Sequence, residues 1–180
     1  RIKEDLAEEI GRVFGYDKLK EVKLPDTKID LRFNKNFYYS NKVREVMSDL
    51  GFSEVNTYTF VETGDFELAN PMSPDKSFLR NNLTDSIKKA LELNSRYSEL
   101  VEMPQIRIFE ISHIFSKDGE KVRFIFGVKT PIGVKVLKKD SQIISEVFDK
   151  IEKTLGCKIS KINEDDNIVE VDFEEMIKDL

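Results

Sequence analysis

Cysteine and histidine are almost missing from this sequence of 180 residues, which contains only Cys157 and His113. With one cysteine the chain can form neither an internal disulfide nor a cysteine-based zinc site, and a reducing, cytoplasmic compartment is the natural expectation. With one histidine it cannot build a metal site from a histidine pair, and any Ser-His-Asp or Cys-His arrangement would depend on His113. We expect His113 to be a packed or surface strand residue and Cys157 to be a small hydrophobic residue without a catalytic role.

Glycine-rich phosphate-binding loops and long hydrophobic runs are also missing. The chain has eight glycines and contains neither a GxxxxGK motif nor a GxGxxG motif, so it offers no nucleotide-binding loop of its own. No stretch approaches the roughly 18 apolar residues of a membrane-spanning helix, and the charged first residues do not resemble a signal peptide. We therefore expect a soluble protein without a membrane partner.

An excess of positive charge is missing as well. The 29 lysine and arginine residues are outnumbered by 34 aspartate and glutamate residues, which gives a net charge of −5. Proteins that bind nucleic acids by themselves usually gather basic residues on one face, because phosphate contacts dominate their affinity. No window of this sequence holds such a basic run, so direct binding of RNA by this chain alone is disfavoured and no DNA binding is evident.

Regular hydrophobic spacing predicts four helices. Apolar residues recur every three or four positions in three stretches that each end at a glycine, and a fourth stretch follows Thr84 and Asp85, either of which can cap a helix. The predicted helices cover residues 1–14, 37–50, 84 to about 97, and 141–155, with stops at Gly15, Gly51 and Gly156. Their predicted inward positions are Ile2, Leu6, Ile10, Val13 and Phe14; Val43, Val46, Met47 and Leu50; Ile87, Ala90, Leu91 and Asn94; and Ile143, Ile144, Val147, Phe148 and Ile151.

Strand patterns fill the intervals between the predicted helices. Within residues 55–60, the β-branched side chains of Val55, Thr57 and Thr59 alternate with Asn56, Tyr58 and Phe60, which predicts one strand. Residues 106–115 and 122–128 predict a hairpin whose Asp118-Gly119 turn supplies the required positive φ. Two shorter strands are predicted near residues 158–162 and 168–173, and the prolines of residues 70–74 predict a shaped loop. These elements together predict an α+β fold in which the sheet is at least partly antiparallel.

Three carboxylates, those of Asp5, Glu8 and Glu9, fall on about one turn of the first predicted helix. One interpretation is an acidic cluster favoured by the partial positive charge of the helix N-terminus and screened by Lys3 and Arg12. The other is half of a magnesium site that a partner completes, because magnesium prefers oxygen ligands and keeps several waters. The spacing alone leaves both interpretations open.

Three short strings stand in order in the middle of the chain. They are Asn70-Pro71-Met72-Ser73, Phe78-Leu79-Arg80-Asn81-Asn82-Leu83 and Ile106-Arg107-Ile108-Phe109-Glu110-Ile111, followed by Phe115. In letters, order and spacing they resemble the core domain of bacterial phenylalanyl-tRNA synthetase β subunits. The resemblance implies a class II synthetase catalytic fold, an antiparallel sheet flanked by helices, that has lost its own active site.

The resemblance also bears on Arg107 and Glu110, which look like remnants of the class II motif whose arginine and glutamate engage ATP in active relatives. The remaining motifs for binding ATP and the amino acid are missing from this sequence. We therefore interpret Arg107 and Glu110 as an ion pair within the strand or as interface residues. No catalytic or cofactor-binding residue is assigned.

The first segment resembles a second part of the same family. Residues 4–10 and 12–17 are similar to the closing helix of the B5 module that precedes the core. This resemblance implies that Asp5, Glu8 and Glu9 are magnesium ligands, with the Mg²⁺ shared with the α subunit. The predicted parts are residues 1–19 as the closing helix of a B5-like module, 20–36 as a linker and 37–180 as the core domain.

The function that the resemblance implies belongs to an assembly. We expect a fragment of the β subunit of a heterotetrameric phenylalanine–tRNA ligase, serving as a non-catalytic scaffold for the α subunit and inactive by itself. ATP is then a substrate of the assembly, and tRNA binds the whole assembly instead of this piece. Because residues after about Gly127 depart from the family pattern, the alternative is a stand-alone, synthetase-core-like binding or assembly module without ligase activity.

Overall fold

The computed structural model describes residues 2–24, 33–100, 102–165 and 167–180, and the chain divides into two units, Arg1–Phe33 and Asn34–Leu180. Its helices are α1 (Lys3–Phe14), α2 (Lys35–Asp49), α3 (Thr84–Arg96), α4 (Asp140–Leu155) and α5 (Phe173–Met176). Its strands are β1 (Ser53–Glu54), β2 (Phe60–Val61), β3 (Phe66–Glu67), β4 (Phe78–Leu79), β5 (Ile106–Ser116), β6 (Gly119–Lys129), β7 (Lys161–Asp165) and β8 (Ile168–Asp172). The names given above to the three sequence parts stay predictions, and most of the predicted linker lies outside the described residues.

The hairpin of β5 and β6 is the centre of the main sheet. The two strands pair without interruption from Ile106 opposite Lys129 to Ser116 opposite Gly119, whose φ of 109° supplies the predicted turn. The five strands are ordered β1-β5-β6-β8-β7, and only the short β1–β5 pairing is parallel. A second, three-stranded sheet has the order β2-β4-β3 and is antiparallel. The predicted α+β fold and the predicted hairpin are confirmed.

Hydrophobic residues alternate along the hairpin, so each face of the main sheet has its own core. Phe109, Phe124 and Phe126 lie on the face covered by α2 and α4, whose buried residues include the predicted Val43, Met47, Val147 and Ile151. Ile106, Ile108, Ile125 and Ile168 lie on the other face, against Leu83, Ile87 and Leu91 at and within α3. The helices therefore flank the sheet on both sides.

Gly127 allows α3 to lie close to β6. A β-carbon at this position would come within 2.7 Å of Leu91 Cδ1, closer than real β-carbon contacts, and within 3.2 Å of Ile168 Cγ1, which is tighter than most of them. The missing side chain therefore makes room for the buried leucine of the helix.

Helix α1 forms as predicted and ends at Gly15, but its predicted buried stripe is wrong. None of its residues is buried, and Leu6 and Ile10 are 61% and 62% exposed. The periodicity predicted the helix correctly because it reports amphipathic character. It does not report what covers the apolar side, and the described part of the first unit adds only a short helical turn, Tyr16–Lys18.

Several other boundaries differ from the predictions. The predicted strand over residues 55–60 is wrong for residues 55–59, which lie between β1 and β2. The predicted caps of α3 are wrong, because the N-cap is Leu83 and the Thr84 hydroxyl instead donates to Glu170. Asn94 is exposed and not inward. The first of the two predicted short strands begins three residues later, at Lys161.

Asp172 links the end of β8 to α5 and to β6. Its Oδ1 accepts a hydrogen bond of 3.1 Å from the backbone nitrogen of Glu175, and its carboxylate pairs with Arg123. Burial by itself raises the pKa of Asp172. The hydrogen bond from Glu175 and the pairing with Arg123 together lower the pKa by more than burial raises it, so the net pKa lies below the usual value for aspartate.

This lowered pKa predicts a pH-dependent contribution to stability. The contribution is complete above the unfolded-state pKa, about 3.9, and is lost as pH falls through the lower folded-state value. The free energy of unfolding of the natural chain should therefore fall towards that of D172N below about pH 4. Urea denaturation at a series of pH values measures this, and a constant difference between the two proteins across that range would contradict it. Arg123→Met should reduce the pH dependence without removing it, since the hydrogen bond from Glu175 remains.

Candidate functional site

Arg80 lies immediately after β4, where the small sheet meets the edge of the main sheet. Its backbone nitrogen donates to Thr59 O at 2.9 Å, and its carbonyl oxygen accepts from Phe115 N at 2.8 Å. The backbone at this residue therefore joins the end of the hairpin to the segment that precedes β2.

The Arg80 side chain is buried in a set of acceptors that uses all three of its nitrogens. Nη1 lies 3.0 Å from Glu110 Oε1, Nε donates to His113 O at 2.9 Å, and Nη2 donates to the Ser112 hydroxyl. Both members of the ion pair are about 2% exposed. An arginine buried this deeply is stable only when such partners replace its water.

Glu110 is completed by the irregular segment between β1 and β2. Its Oε2 accepts from the Thr57 hydroxyl at 2.7 Å and from the Thr57 backbone nitrogen at 3.3 Å. The Thr57 hydroxyl also lies 2.9 Å from Arg80 Nη1. These bonds explain why residues 55–59 do not continue as a strand: the backbone there is held by a side chain of β5. We call Arg80, Glu110, Thr57 and Ser112 the buried network.

Arg107 does not pair with Glu110, so the interpretation of these residues as an ion pair within the strand is wrong. Residues three apart on a strand point to opposite faces of the sheet. Arg107 Nη1 donates to Leu50 O at 2.9 Å, and its Nε and Nη2 donate to Gln105 Oε1 at 3.0 and 2.7 Å. The other interpretation, an interface role for Arg107, stays a prediction.

Glu170 is a second buried carboxylate that the sequence analysis missed. It lies in β8, is 5% exposed, and accepts from Thr84 Oγ1 at 2.7 Å and from Leu83 N at 3.4 Å. It therefore binds the start of α3 to β8, an interior strand of the main sheet. The available signal was a single charged residue within the apolar run Ile168-Val169-Glu170-Val171, which is unusual for a central strand.

Asp5, Glu8 and Glu9 all lie on α1, and each is exposed. Asp5 Oδ2 accepts from Ile2 N at 3.2 Å, and Glu9 Oε2 pairs with Arg12 Nη2 at 2.5 Å. The Asp5 contact is the one expected of an acidic first turn near a helix N-terminus, and the Glu9–Arg12 contact is an exposed i,i+3 pair further along the helix. Among the described residues, no three histidine, cysteine or acidic side chains form a group that could hold a metal ion. Residues 2–24 thus do not complete a magnesium site, and the magnesium assignment stays a prediction.

The lone histidine and the lone cysteine have no reactive setting. His113 is exposed on β5, with Nε2 3.8 Å from Glu120 Oε1. Cys157 follows α4, packs beside the core and is half-buried, and burial raises the pKa of its thiol. The raised pKa keeps the sulfur protonated and poorly nucleophilic.

Comparison with known proteins decides the family. The model of the "Phenylalanyl tRNA synthetase beta chain CLM domain" matches residues 21–135, a span that includes β1 to β6 and the whole buried network. The chain belongs to this family. Among the described residues of this synthetase β-chain domain, no helix has the length and hydrophobicity needed to cross a membrane.

Named relatives agree with the family model. The chain is 29% identical over 132 residues to the phenylalanine–tRNA ligase β subunit of Mycoplasma capricolum, an alignment that covers 68% of this chain and 16% of that protein. It is 23% identical over 175 residues to the β subunit of Mycoplasma mycoides, covering 89% of this chain and 22% of that protein. The chain thus spans less than a quarter of the length of these curated relatives.

A solved structure with a looser similarity is the apo histidyl-tRNA synthetase of S. aureus. It aligns with a TM-score of 0.48 and 16% sequence identity, covering 80% of this chain and 38% of that chain. Similarity at this level defines neither a shared function nor a shared site.

The buried network should dominate the stability of this β-chain domain. Arg80→Met and Glu110→Gln should each lower the free energy of unfolding by roughly 3–5 kcal/mol, because each leaves a buried charge without its partner. The double replacement R80M/E110L should cost less than the sum of the two single changes, since it leaves no uncompensated charge. Urea denaturation of all variants measures these differences.

A matched control is Lys178→Met, which breaks the exposed Lys178–Glu175 pair and should change stability little. Single changes at Arg80 or Glu110 that cost no more than this control would contradict the role of the buried network.

Proposed function

We propose that this chain is the core scaffold of the β subunit of a phenylalanine–tRNA ligase and holds the catalytic α subunit without performing chemistry itself. The observation that carries the proposal is the family match over residues 21–135. The named relatives, which are phenylalanine–tRNA ligase β subunits, support it.

The buried charged residues of the domain bond to groups within the same chain, and this supports a scaffold role. Arg80, Glu110 and Glu170 each bond to groups from other elements of the same chain. A side chain whose bonding capacity is filled inside the protein is poorly placed to bind ATP or to transfer a proton. The same bonds make the sheet rigid, and rigidity suits a domain that positions a partner.

In this proposal the reaction belongs to the whole assembly. The α subunit activates phenylalanine with ATP, and tRNA binds the heterotetramer as a whole. The assembly works in the cytoplasm, where a half-buried, unpaired Cys157 stays reduced.

The proposal predicts where ATP–pyrophosphate exchange with phenylalanine takes place. The 180-residue chain alone should show no exchange, and the complete β subunit mixed with the α subunit should restore it. Removing residues 1–180 from the β subunit should abolish both exchange and co-purification of the α subunit. Exchange by the isolated chain would overturn the scaffold role, and full exchange by α without this domain would make the domain dispensable.

The magnesium assignment is tested in the complete assembly. If Asp5, Glu8 and Glu9 supply ligands together with groups beyond the described residues, then D5N/E8Q/E9Q should raise the Mg²⁺ concentration needed for α-subunit association about tenfold. Glu4→Gln, one residue away on the same turn, is the matched control. An unchanged magnesium requirement would contradict the ligand assignment, and the acidic cluster would then be the remaining interpretation.

A further inference from the structure

A cavity of about 470 Å³ opens where β5 begins, at the end of the main sheet opposite the hairpin turn. One side is formed by the segment Met103–Arg107 and by Gly51 after α2. The other side is the segment Lys135–Lys138 of the ten-residue loop that joins β6 to α4. No residue of the buried network lines this cavity.

Arg107 places a fixed positive charge in the cavity. Its guanidinium is held by the Leu50 carbonyl and by Gln105 Oε1, both uncharged acceptors. Among the described residues, no carboxylate lies within ion-pair distance of it, whereas nine other lysine and arginine side chains have such a partner. An arginine that is positioned but not neutralised is ready for an anion.

Gln105 is itself anchored, so the position of Arg107 is set before any ligand arrives. Gln105 is 8% exposed, and its Nε2 donates to Asp140 Oδ1 at 2.6 Å and to Thr130 Oγ1 at 3.1 Å. Asp140 also accepts from the Thr130 backbone at 3.2 Å. This chain of bonds ties Arg107 to both ends of the loop between β6 and α4, which lowers the ordering cost of binding.

The cavity also has an apolar part, formed by Met103, Pro104, Val136 and Leu137, and much of it is exposed. Met103 is 47% exposed, and Leu137 is exposed as fully as in an extended chain. Ile132, in the same loop, is equally exposed. Two aliphatic side chains that project completely into water from one ten-residue loop gain contacts only when a further polypeptide segment covers them.

The charges at the rim identify the chemistry of that molecule. Arg107 and Lys135 line the cavity with one acidic residue, Glu102, in a chain whose net charge is −5. Lys138 also lines it, but its ammonium is paired with Glu146 outside the lining. The described residues of the lining include no aromatic ring for stacking bases and no extended basic track for a phosphate backbone, which disfavours RNA. Carboxylates on an aliphatic segment match both the positive rim and the apolar wall.

We propose that this cavity binds an acidic, leucine-rich segment of a protein partner, with a carboxylate on Arg107 and an aliphatic side chain against Met103 and Leu137. The proposal does not depend on the proposed ligase function. It rests on the position of Arg107 and on the exposed loop.

The experiment uses the 180-residue chain and two blocked peptides, acetyl-Leu-Glu-Leu-Leu-Glu-Leu-amide and its counterpart with glutamine in place of glutamate. Binding is followed by NMR shift perturbation. The glutamate peptide should shift resonances of Gln105, Arg107 and residues 132–138, and should bind about tenfold more tightly than the glutamine peptide. Arg107→Gln should remove that tenfold preference, and Leu137→Ser should weaken both peptides about fivefold.

Leu137→Ser keeps the test independent of folding, because a side chain without packing contacts can be shortened at little cost to stability. Lys153→Gln, on α4 and outside the cavity lining, is the matched control for loss of one positive charge and should leave binding unchanged. Equal binding of the two peptides, no shift in the cavity residues at millimolar peptide, or a stronger response of the same residues to a single-stranded RNA 12-mer would each overturn the proposal.

Discussion

The buried pairing of Arg80 with Glu110 connects the parts of this domain that otherwise have little contact. The small sheet consists of strands of two residues each, too short to be stable by their own hydrogen bonds. It is attached to the main sheet through the backbone and side chain of Arg80, and Glu110 extends the attachment to Thr57. Removing water from both charges is costly, so the pair is stable only when every element is in place. That requirement makes the network specify one arrangement of the two sheets.

The main sheet provides the frame in which this pairing is possible. The hairpin of two eleven-residue strands has one face rich in phenylalanine and one face rich in isoleucine, and helices cover both faces. Glu110 lies on the isoleucine face of the sheet. Arg80, and not α3, packs against this part of the face. Gly127 and Glu170 then place α3 over the rest, the first by leaving room for Leu91 and the second by bonding Thr84. Packing and polar bonding therefore select the same position for the helix.

Two arginines of this domain, Arg80 and Arg107, show how the same side chain serves different purposes. Arg80 has a carboxylate partner, is buried and has a structural role. Arg107 is half-buried, is held by neutral acceptors and keeps its charge available at the mouth of a cavity. The proposed scaffold role would use both kinds of residue, because a scaffold has to hold its own shape and also present a surface to other chains.

Much of the fold follows from the sequence by itself. Helical spacing predicted α1 to α4, and alternation around Asp118-Gly119 predicted the hairpin, because these patterns are local consequences of backbone geometry. The string resemblance predicted the family that the comparison shows. Only the tertiary structure decided the partner of Glu110, since Arg80 is thirty residues away in sequence and no local pattern joins them. It also decided that the α1 stripe is exposed and that Arg107 faces a cavity, because both depend on which surfaces the rest of the chain covers.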